Sequence, residues 1–400
     1  MIVRKLYLDR LLSFIHQPVI KVITGMRRAG KSTLLAMLAE RLLEDGVREE
    51  QVIRMNFESM MFDDISDYRQ LYARVQEKIG GQKQVYLLLD EVQQVTHWEK
   101  AINSLFAEGV ADICITGSNA KMLSSEIATL LSGRYVEIRM LPLSFREYLD
   151  FLPECRKDRE AAFVQYLRYG GLPAIPALPQ RDETIALFLS GVYHTVLMKD
   201  VVERSAVRDP ALLSHILRFL ADNIGNPVSS SRISGYLTSR GRKVSAYTID
   251  NYLHTLESAF IFYRAPRYDI KGKLYLKTQE KYYIVDNGIR NALLGFRDGD
   301  YGRILENIVY LELLRRGYTV GVGKIGRMEV DFVAQRADRK QYFQVAATVM
   351  DELTRERELR ALAAIPDQYE KTLLTMDRSY IKDFNGIHNV NILDFLLDDS

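Results

Sequence analysis

The residues best suited to chemistry follow an apolar run near the start of the chain. Gly25, four further residues, Gly30, Lys31 and Ser32 lead into a helical pattern, which is the G-x-x-x-x-G-K-S spacing of a phosphate-binding loop. Its glycines let backbone N–H groups turn inward, and the start of the helix adds partial positive charge beside a phosphate. We expect Lys31 to bridge the β- and γ-phosphates of ATP and Ser32 to ligate Mg²⁺.

The nucleotide-binding prediction covers the whole loop. Its residues are Gly25, Met26, Arg27, Arg28, Ala29, Gly30, Lys31, Ser32 and Thr33. Two roles stay open for Arg27 and Arg28, contact with phosphate or exposure to solvent. An ordinary glycine turn is the competing interpretation, and the apolar run before the loop and the helical pattern after it argue against that turn.

Polar side chains also end two later apolar runs. Asp90 and Glu91 follow QVYLLL, and we expect Asp90 to hold the magnesium shell and Glu91 to orient or deprotonate the attacking water. The run ADICITGSNA ends in Thr116, Ser118 and Asn119. Asn119 is our candidate for sensing the γ-phosphate or holding the water, and a strand-end cap would use the same residues.

Arg134 stands just before the apolar run YVEIRM. It is a candidate arginine finger, offered to the nucleotide of a neighbouring subunit, so that hydrolysis would depend on assembly into a homo-oligomer. An exposed arginine with no such role is the alternative.

Composition narrows the class of protein. The chain has 400 residues, 47% of them hydrophobic, which suits two or three domains with cores of their own. A formal charge of +2 leaves nucleic-acid binding to a local patch. Cys114 and Cys155 have neither metal-ligand spacing nor a disulfide framework. No apolar run approaches the about 20 residues of a membrane helix, so we expect a cytoplasmic protein with no membrane partner.

Five segments together resemble a bacterial and archaeal group of AAA+-like P-loop ATPases, the AAA_14 group, whose C-terminal part carries the DUF4143 domain. They are TGMRRAGKSTLL, LLLDEVQ, ITGSNAKML, LLSGRYVEIRMLPLSFREYL and YGGLPA, and the likeness extends over nearly the whole chain. In that group the matching positions are assigned to nucleotide binding, hydrolysis, sensing and the finger. They are Gly25 to Ser32, Asp90, Glu91, Ser118 with Asn119, and Arg134. The resemblance implies an ATPase more firmly than it implies a task.

The predicted fold class is α/β. Residues 19–141 alternate apolar runs with helical stretches, which is typical of a parallel sheet wrapped by helices. We predict an AAA+ P-loop three-layer core over 1–141 and a helical lid over 142–204. The resemblance adds a winged-helix domain over 205–296 and a restriction-endonuclease-like domain of the PD-(D/E)XK type over 297–400.

The middle segment holds the candidates for DNA binding. Its third amphipathic stretch, SAYTIDNYLHTLESAF, presents Tyr247, Thr248 and Asn251 on the face opposite its apolar stripe. A predicted wing hairpin follows, in which six basic residues against two acidic ones between 264 and 281 give a net charge of +4. Its DNA-binding candidates are Arg264, Arg267, Lys271, Lys273 and Lys277. A module that binds protein or acts as a lid is the alternative.

The C-terminal segment has the frame of a metal-dependent nuclease. Cleavage in that fold class uses an acid on a helix, an aspartate on a strand and an acid-x-lysine pair on the next strand. Glu306 and Asp331 match the first two positions, with Glu329 on the same strand face as Asp331. Gln344 stands at the second acid, so Glu306, Asp331 and Gln344 form a degenerate nuclease site that we expect to be inactive.

The lysine of that pair is missing as well, because Ala346 stands at its position. A lysine that has moved to another position would keep nuclease activity open, and Lys324, Lys340 and Lys371 are the candidates. A purely structural use of the acidic residues, or passive binding of a phosphate backbone, is the alternative.

Three hypotheses for function follow. The first is an oligomeric, Mg²⁺-dependent ATP hydrolase that couples nucleotide state to binding or remodelling of DNA. The second is an ATP-switched signalling or assembly protein whose C-terminal half binds another protein. The third is an ATP-regulated nuclease.

Overall fold

The computed structural model describes residues 2–82, 84–123, 131, 133–195, 201–204, 207–337, 339–378 and 381–398. The chain divides into two compact units. The first is Met1–Leu141 with Ser258–Phe260, and the second is Pro142–Glu257 with Ile261–Ser400.

A five-stranded parallel sheet forms the centre of the first unit. Its strands are β1 (Ile20–Thr24), β2 (Val52–Asn56), β3 (Val85–Asp90), β4 (Ala111–Gly117) and β5 (Tyr135–Arg139), in the order β2-β3-β4-β1-β5. Its helices are α1 (Lys5–Leu12), α2 (Lys31–Glu44), α3 (Tyr68–Ile79) and α4 (Trp98–Glu108). All four strand pairings are parallel, so the carboxyl ends of the strands meet at one edge of the sheet. The α/β fold predicted for this segment is confirmed.

Alternation along the strands explains the layers of this unit. On β3, Val85, Leu87 and Leu89 are buried in one hydrophobic cluster with residues of α3 and α4, whereas Tyr86 and Leu88 are buried in a second cluster with residues of α1 and α2. Successive side chains of a strand point to opposite faces, so helices cover both faces of the sheet. Strands buried in this way hold their carboxyl ends in fixed positions.

The helices described in the second unit lie before the strands of its sheet, between them and after the last one. They are α5 (Phe145–Phe151), α6 (Arg159–Tyr169), α7 (Asp182–Val192), α8 (Val201–Arg204), α9 (Pro210–Asp222), α10 (Ser230–Ser239), α11 (Ala246–Ser258), α12 (Asn287–Leu294), α13 (Tyr301–Arg315), α14 (Glu352–Ala363) and α15 (Ile392–Leu397). The elements described between 142 and 204 are helical, as predicted, and their use as a lid stays a prediction.

The second unit also contains an eight-stranded sheet with parallel and antiparallel pairs. Its strands are β6 (Pro227–Val228), β7 (Phe262–Asp269), β8 (Leu274–Ile284), β9 (Thr319–Ile325), β10 (Met328–Arg336), β11 (Arg339–Val345), β12 (Glu370–Thr375) and β13 (His388–Asn391). They lie in the order β13-β12-β11-β10-β9-β7-β8-β6. The predicted hairpin is present as β7 and β8, which pair antiparallel.

That hairpin is not a separate wing. Residues 267–269 of β7 pair in parallel with residues 322–324 of β9, so one sheet runs across the predicted boundary between 296 and 297. In the hairpin, β8 satisfies the backbone N–H and C=O groups on one side of β7. The groups on its other side need a partner, and β9 provides it. The names winged helix and nuclease-like domain stay predictions.

The YGG segment of the chain has a structural explanation within this unit. Gly170 has φ +78, and a Cβ on it would lie 2.2 Å from Oδ1 of Asp286. The Asp286 carboxylate accepts hydrogen bonds from the N–H groups of Gly171 (2.6 Å) and Ile289 (3.1 Å). Burial raises the pKa of Asp286 to about 6. The glycine pair is therefore needed for close approach of the backbone to a buried helix cap.

In the part of the chain that the structure describes, every helix is too short or too polar to cross a membrane.

Candidate nucleotide-binding site

The phosphate-binding loop lies at the carboxyl edge of the first sheet, between β1 and α2. Gly25 has φ +142 and Gly30 has φ +99, backbone conformations that favour glycine. A Cβ on Gly25 would lie 2.2 Å from the carbonyl oxygen of Met140, at the end of the neighbouring strand β5. The two glycines are thus required by local geometry, and the loop ends at the N-terminus of a 14-residue helix.

Lys31 is buried and already has partners. Its side chain is 3% exposed, and Nζ donates to the carbonyl oxygens of Gly25 and Met26, both at 3.1 Å. The same atom lies 3.3 Å from Oε1 of Glu91. Burial lowers the pKa of Lys31, and the Glu91 carboxylate opposes that shift. The lysine is therefore held inside the loop by a carboxylate that a phosphate can replace.

Asp90 and Glu91 are both buried at the end of β3, beside the end of β4. The Thr116 hydroxyl donates to Oδ1 of Asp90 at 2.5 Å and accepts from the backbone N–H of Glu91 at 2.9 Å. The Ser118 hydroxyl donates to Oε2 of Glu91 at 2.8 Å. Glu91 has φ +53, an unusual conformation for a residue with a side chain. The two carboxylates are thus positioned by side chains at the end of the adjacent strand.

The residues present fit a nucleoside triphosphate with a magnesium ion. The loop supplies inward-turning backbone and a buried ammonium, as phosphate requires. Ser32 is exposed on the first turn of α2, and the oxygens of its hydroxyl and of the Asp90 carboxylate are ligands that Mg²⁺ prefers. Among the residues that the structure describes, no cluster of three or more His, Cys, Asp or Glu side chains is placed to bind a metal ion by itself. Phosphate oxygens would have to complete such a shell.

The remaining loop residues differ in exposure. Met26 and Ala29 are fully buried, so they hold the loop in place through packing. The Arg27 guanidinium donates to Glu58 at 2.6 Å, and Arg28 and Thr33 are exposed.

Asn119 and Arg134 lie at opposite edges of the sheet. Asn119 is half-buried just beyond the carboxyl end of β4, on the edge that carries the loop. Arg134 precedes β5, whose first residue pairs with Ile20 at the start of β1, and its guanidinium lies 5.9 Å from the centre of the Phe106 ring. A strand of five residues separates this edge from the loop, about 16 Å at the usual rise per residue. Arg134 is thus outside its own chain's candidate site, and its role as a finger stays a prediction.

Sequence reasoning missed Arg4. This buried arginine donates from Nη1 to the carbonyl oxygens of Ala29 and Leu141, both at 2.9 Å. It therefore fastens the phosphate-binding loop to the segment that follows β5. The sequence does not indicate a contact between Arg4 and the loop, because Arg4 precedes the loop by more than 20 residues. Gln93, which donates to Oε2 of Glu91, was missed as well.

The degenerate nuclease residues do come together in the second unit. Glu306 on α13 and Glu329 and Asp331 on β10 all lie near the Lys281 ammonium, which sequence reasoning assigned to an exposed basic hairpin. Gln344 accepts from the backbone N–H of Asp331 at 3.2 Å. A lysine of β8 thus lies beside these carboxylates.

The three lysines considered at first have other contacts or positions. Lys340 lies 3.5 Å from Asp367, and Lys371 donates to the carbonyl oxygen of Ile365. Lys324 pairs with Glu329 along the strand register of β9 and β10.

The basic hairpin is also less available than its composition indicates. Lys281 is buried, and Arg264 lies 3.6 Å from Glu257 and 3.4 Å from Glu280. Arg267 donates to Gln279. Among the described lysine side chains of the hairpin, the exposed ones are Lys271 and Lys273 at its turn, and the side chain of Lys277 is outside the described part. Two of the six basic residues counted along the sequence, Arg264 and Lys281, are therefore paired with carboxylates.

Residues proposed for groove contact on α11 are accessible in part. Tyr247 is 74% exposed, and Asn251 is exposed as well. Thr248 is half-buried, and its backbone N–H donates to the Ser245 hydroxyl at 3.1 Å, which caps the helix.

The first unit has a P-loop ATPase-like fold. Residues 17–149 match the family model AAA_14, described as an AAA domain. The Walker-type ATPase PABY2304 of Pyrococcus abyssi is similar in fold, with a TM-score of 0.52 at 16% identity, over 73% of this chain and 96% of that chain.

Two proteins are similar along most of the sequence. An uncharacterized protein of Haemophilus influenzae is 43% identical over 401 residues, which is 99% of each chain. The uncharacterized protein MJ1544 of Methanocaldococcus jannaschii is 32% identical over 382 residues, 91% of this chain and 81% of its own. The chain belongs to one protein family with these two relatives.

The C-terminal family differs from the expected one. Residues 160–300 match DUF8612, described as a domain of unknown function. This match does not show the DUF4143 region that the resemblance implied, and it extends across the predicted boundaries at 204 and 296.

Proposed function

We propose that this protein is a Mg²⁺-dependent ATP hydrolase that works as a homo-oligomer and couples its nucleotide state to DNA. One observation supports the hydrolase above all others. A loop that contains Gly25 and Gly30, the buried Lys31, and the carboxylates of Asp90 and Glu91 lie together at one edge of a parallel sheet. Lys31 and Glu91 are in direct contact. P-loop enzymes use these same groups for phosphoryl transfer.

Lys31 and Glu91 contact each other, and each would change its partner when a triphosphate binds. A triphosphate entering the loop competes with Glu91 for the lysine, because both are anions and Nζ has few donors to share. Glu91 is then released to accept a proton from water, while Ser118 and Gln93 keep its carboxylate oriented. Mg²⁺, held by Ser32 and Asp90, would supply charge neutralisation at the phosphates. Asn119 would contact the γ-phosphate or the water.

The hydrolase proposal is tested by ATP turnover of the full chain and of Lys31→Ala. We expect magnesium-dependent turnover in the natural chain and loss of both binding and turnover in the variant. Arg41→Ala is the matched control, since Arg41 is an exposed cation on α2 outside the loop. Turnover that survives Lys31→Ala would contradict the proposal.

The oligomer part depends on Arg134, and its position before β5, at the opposite edge of the sheet from the loop, supports action on a neighbouring subunit. We expect Arg134→Ala to lose turnover alone and to recover part of it when mixed with Lys31→Ala. In such mixtures an intact loop of one subunit can meet an intact arginine of another. A mixture with no turnover would count against a finger acting between subunits.

The DNA part is tested by measuring turnover with single-stranded, duplex, forked and four-way-junction DNA beside a sample without DNA. We expect stimulation that falls steeply as salt rises, since phosphate contacts release counterions. The contacts would come from Tyr247, Asn251, Lys271 and Lys273, which are exposed.

A second candidate function is an ATP-switched protein that binds another protein. The pairing of Arg264 and Lys281 with carboxylates favours it, because those cations are not available to DNA phosphates. Turnover and affinity that ignore every form of DNA would support this candidate over the first.

A further inference from the structure

A single ammonium lies among three carboxylates in the second unit, and this group is here called the Lys281 cluster. It consists of Lys281 on β8, Glu306 on α13, and Glu329 and Asp331 on β10. Nζ of Lys281 lies 3.0 Å from Oε1 of Glu306, 2.8 Å from Oε1 of Glu329 and 3.7 Å from Oδ1 of Asp331. The lysine side chain is 3% exposed. The ammonium is therefore enclosed by carboxylates from two different elements.

The charges of the Lys281 cluster do not balance. If Glu306, Glu329 and Asp331 were all ionised, three negative charges would face the single ammonium of Lys281. Burial alone would lower the pKa of Lys281, but Glu306, Asp331 and Glu329 together raise it above its ordinary value. Burial and the Glu306 charge raise the pKa of Asp331 to about 8, although Lys281 opposes this. The site favours positive charge and holds one cation of its own.

Neutral donors contact two of the three carboxylates, those of Glu306 and Asp331. The Tyr283 hydroxyl donates to Oε1 of Glu306 at 2.7 Å, and the N–H of Val345 donates to Oδ2 of Asp331 at 2.9 Å. The Gln344 amide links the Asp331 backbone to Glu358, with Nε2 at 2.9 Å from the Glu358 carboxylate. These contacts hold the carboxylates of Glu306 and Asp331 in place when the charge of Lys281 is removed.

We propose that the Lys281 ammonium is the resident cation of this carboxylate site and occupies the place of a divalent metal ion. Carboxylate oxygens are the ligands that Mg²⁺ and Mn²⁺ prefer, and an ammonium meets the same oxygens with three N–H donors and one charge. The natural chain therefore holds no divalent ion between Glu306, Glu329 and Asp331. It has no metal there to activate water against a phosphodiester.

The substitution Lys281→Ala tests this by removing the charge and leaving room for an ion. In a metal chelator and without nucleotide, we expect its Tm to fall by about 10 °C, because breaking a buried ion pair is strongly destabilising. Mn²⁺ should then restore more than half of that loss. Electron paramagnetic resonance should count one Mn²⁺ per chain beyond the number bound by the natural protein.

Two further variants make the test specific. Lys281→Met removes the same charge but fills the space, so we expect destabilisation without recovery in Mn²⁺. Lys340→Ala removes a lysine of the same sheet that pairs with a single carboxylate, Asp367, and we expect no response to Mn²⁺. Adding Glu329→Gln to Lys281→Ala should weaken the binding of the extra ion, because one of its three carboxylates is lost.

The proposal is overturned if Lys281→Ala gains no bound Mn²⁺, or if the natural chain already binds an ion that Glu329→Gln removes. Should Lys281→Ala fail to fold, Lys281→Ala with Glu306→Gln reduces the uncompensated charge. The same Mn²⁺ titration of that variant decides between the outcomes, because two carboxylates remain to hold an ion. The proposal does not depend on ATP hydrolysis by the first unit.

Discussion

Replacing Glu91 by glutamine separates the two tasks of that carboxylate, which holds Lys31 and activates water. Its Oε1 lies 3.3 Å from Nζ of Lys31, and both side chains are buried. At an effective dielectric constant of about 20, two unit charges at that distance attract by about 5 kcal/mol. A triphosphate must replace the Glu91 carboxylate as the ionic partner of Lys31, and this costs the attraction between the two residues. Without the Glu91 charge, Lys31 still donates to two carbonyl oxygens. The gain in ATP affinity of Glu91→Gln should therefore be only part of that attraction.

We expect Glu91→Gln to bind ATP about tenfold more tightly, which corresponds to release of about 1.4 kcal/mol, well within that attraction. Turnover should fall at least a hundredfold, roughly the contribution of a general base, because the amide cannot accept the proton of water. Isothermal titration calorimetry with ATP and a single-turnover hydrolysis assay measure the two effects separately.

Glu58→Gln is the matched control for that experiment. Glu58 also pairs with a cation of the loop, Arg27, but its side chain is 45% exposed. We expect little change in affinity or turnover, since exposed ion pairs contribute little. Unchanged or weaker ATP binding by Glu91→Gln, or preserved turnover, would refute the assignment of Glu91.

Three further predictions concern stability and binding. Gly25→Ala should lower the Tm and abolish ATP binding, because φ is +142 and its Cβ would lie 2.2 Å from the Met140 carbonyl oxygen; circular dichroism and calorimetry check both. Arg4→Ala should destabilise the chain by about 3 kcal/mol in urea unfolding, since two buried carbonyl partners lose a charged donor. The folded chain keeps a proton on Asp331 up to its pKa of about 8, so the contribution of this group to stability should fall as pH rises from about 4 to about 8. Glu306→Gln should flatten that fall, as urea unfolding across the same pH range would show, and an unaltered slope would contradict the cause assigned.

The phosphate-binding loop could be predicted because its signals are local. Glycines, a lysine and a helix start within eight residues identify it, and parallel strands bring Asp90 and Thr116 to the same edge. The contacts of Arg4 could not be foreseen, since they join it to residues 29 and 141. The direct pairing of Lys31 with Glu91 depends likewise on the packing of two separate strands.

The second unit shows where a local pattern stops being informative. The sequence predicts a hairpin that the structure contains, but it does not reveal that β7 also pairs with β9. For the same reason Lys281 was counted with the exposed cations of the hairpin. Its carboxylate partners follow it by 25 to 50 residues, and only the eight-stranded sheet with α13 brings them together. A lysine was therefore sought within the C-terminal strands and not on β8.

The central claim is that residues 25–33 form a binding site for the phosphates of ATP. Calorimetric titration of the full chain with ATP and Mg²⁺, beside Lys31→Ala, tests it most directly. We expect saturable binding of one nucleotide per chain that Lys31→Ala abolishes while its unfolding temperature without nucleotide stays close to that of the natural chain. No heat of binding in the natural chain, or equal binding in both proteins, would contradict the account.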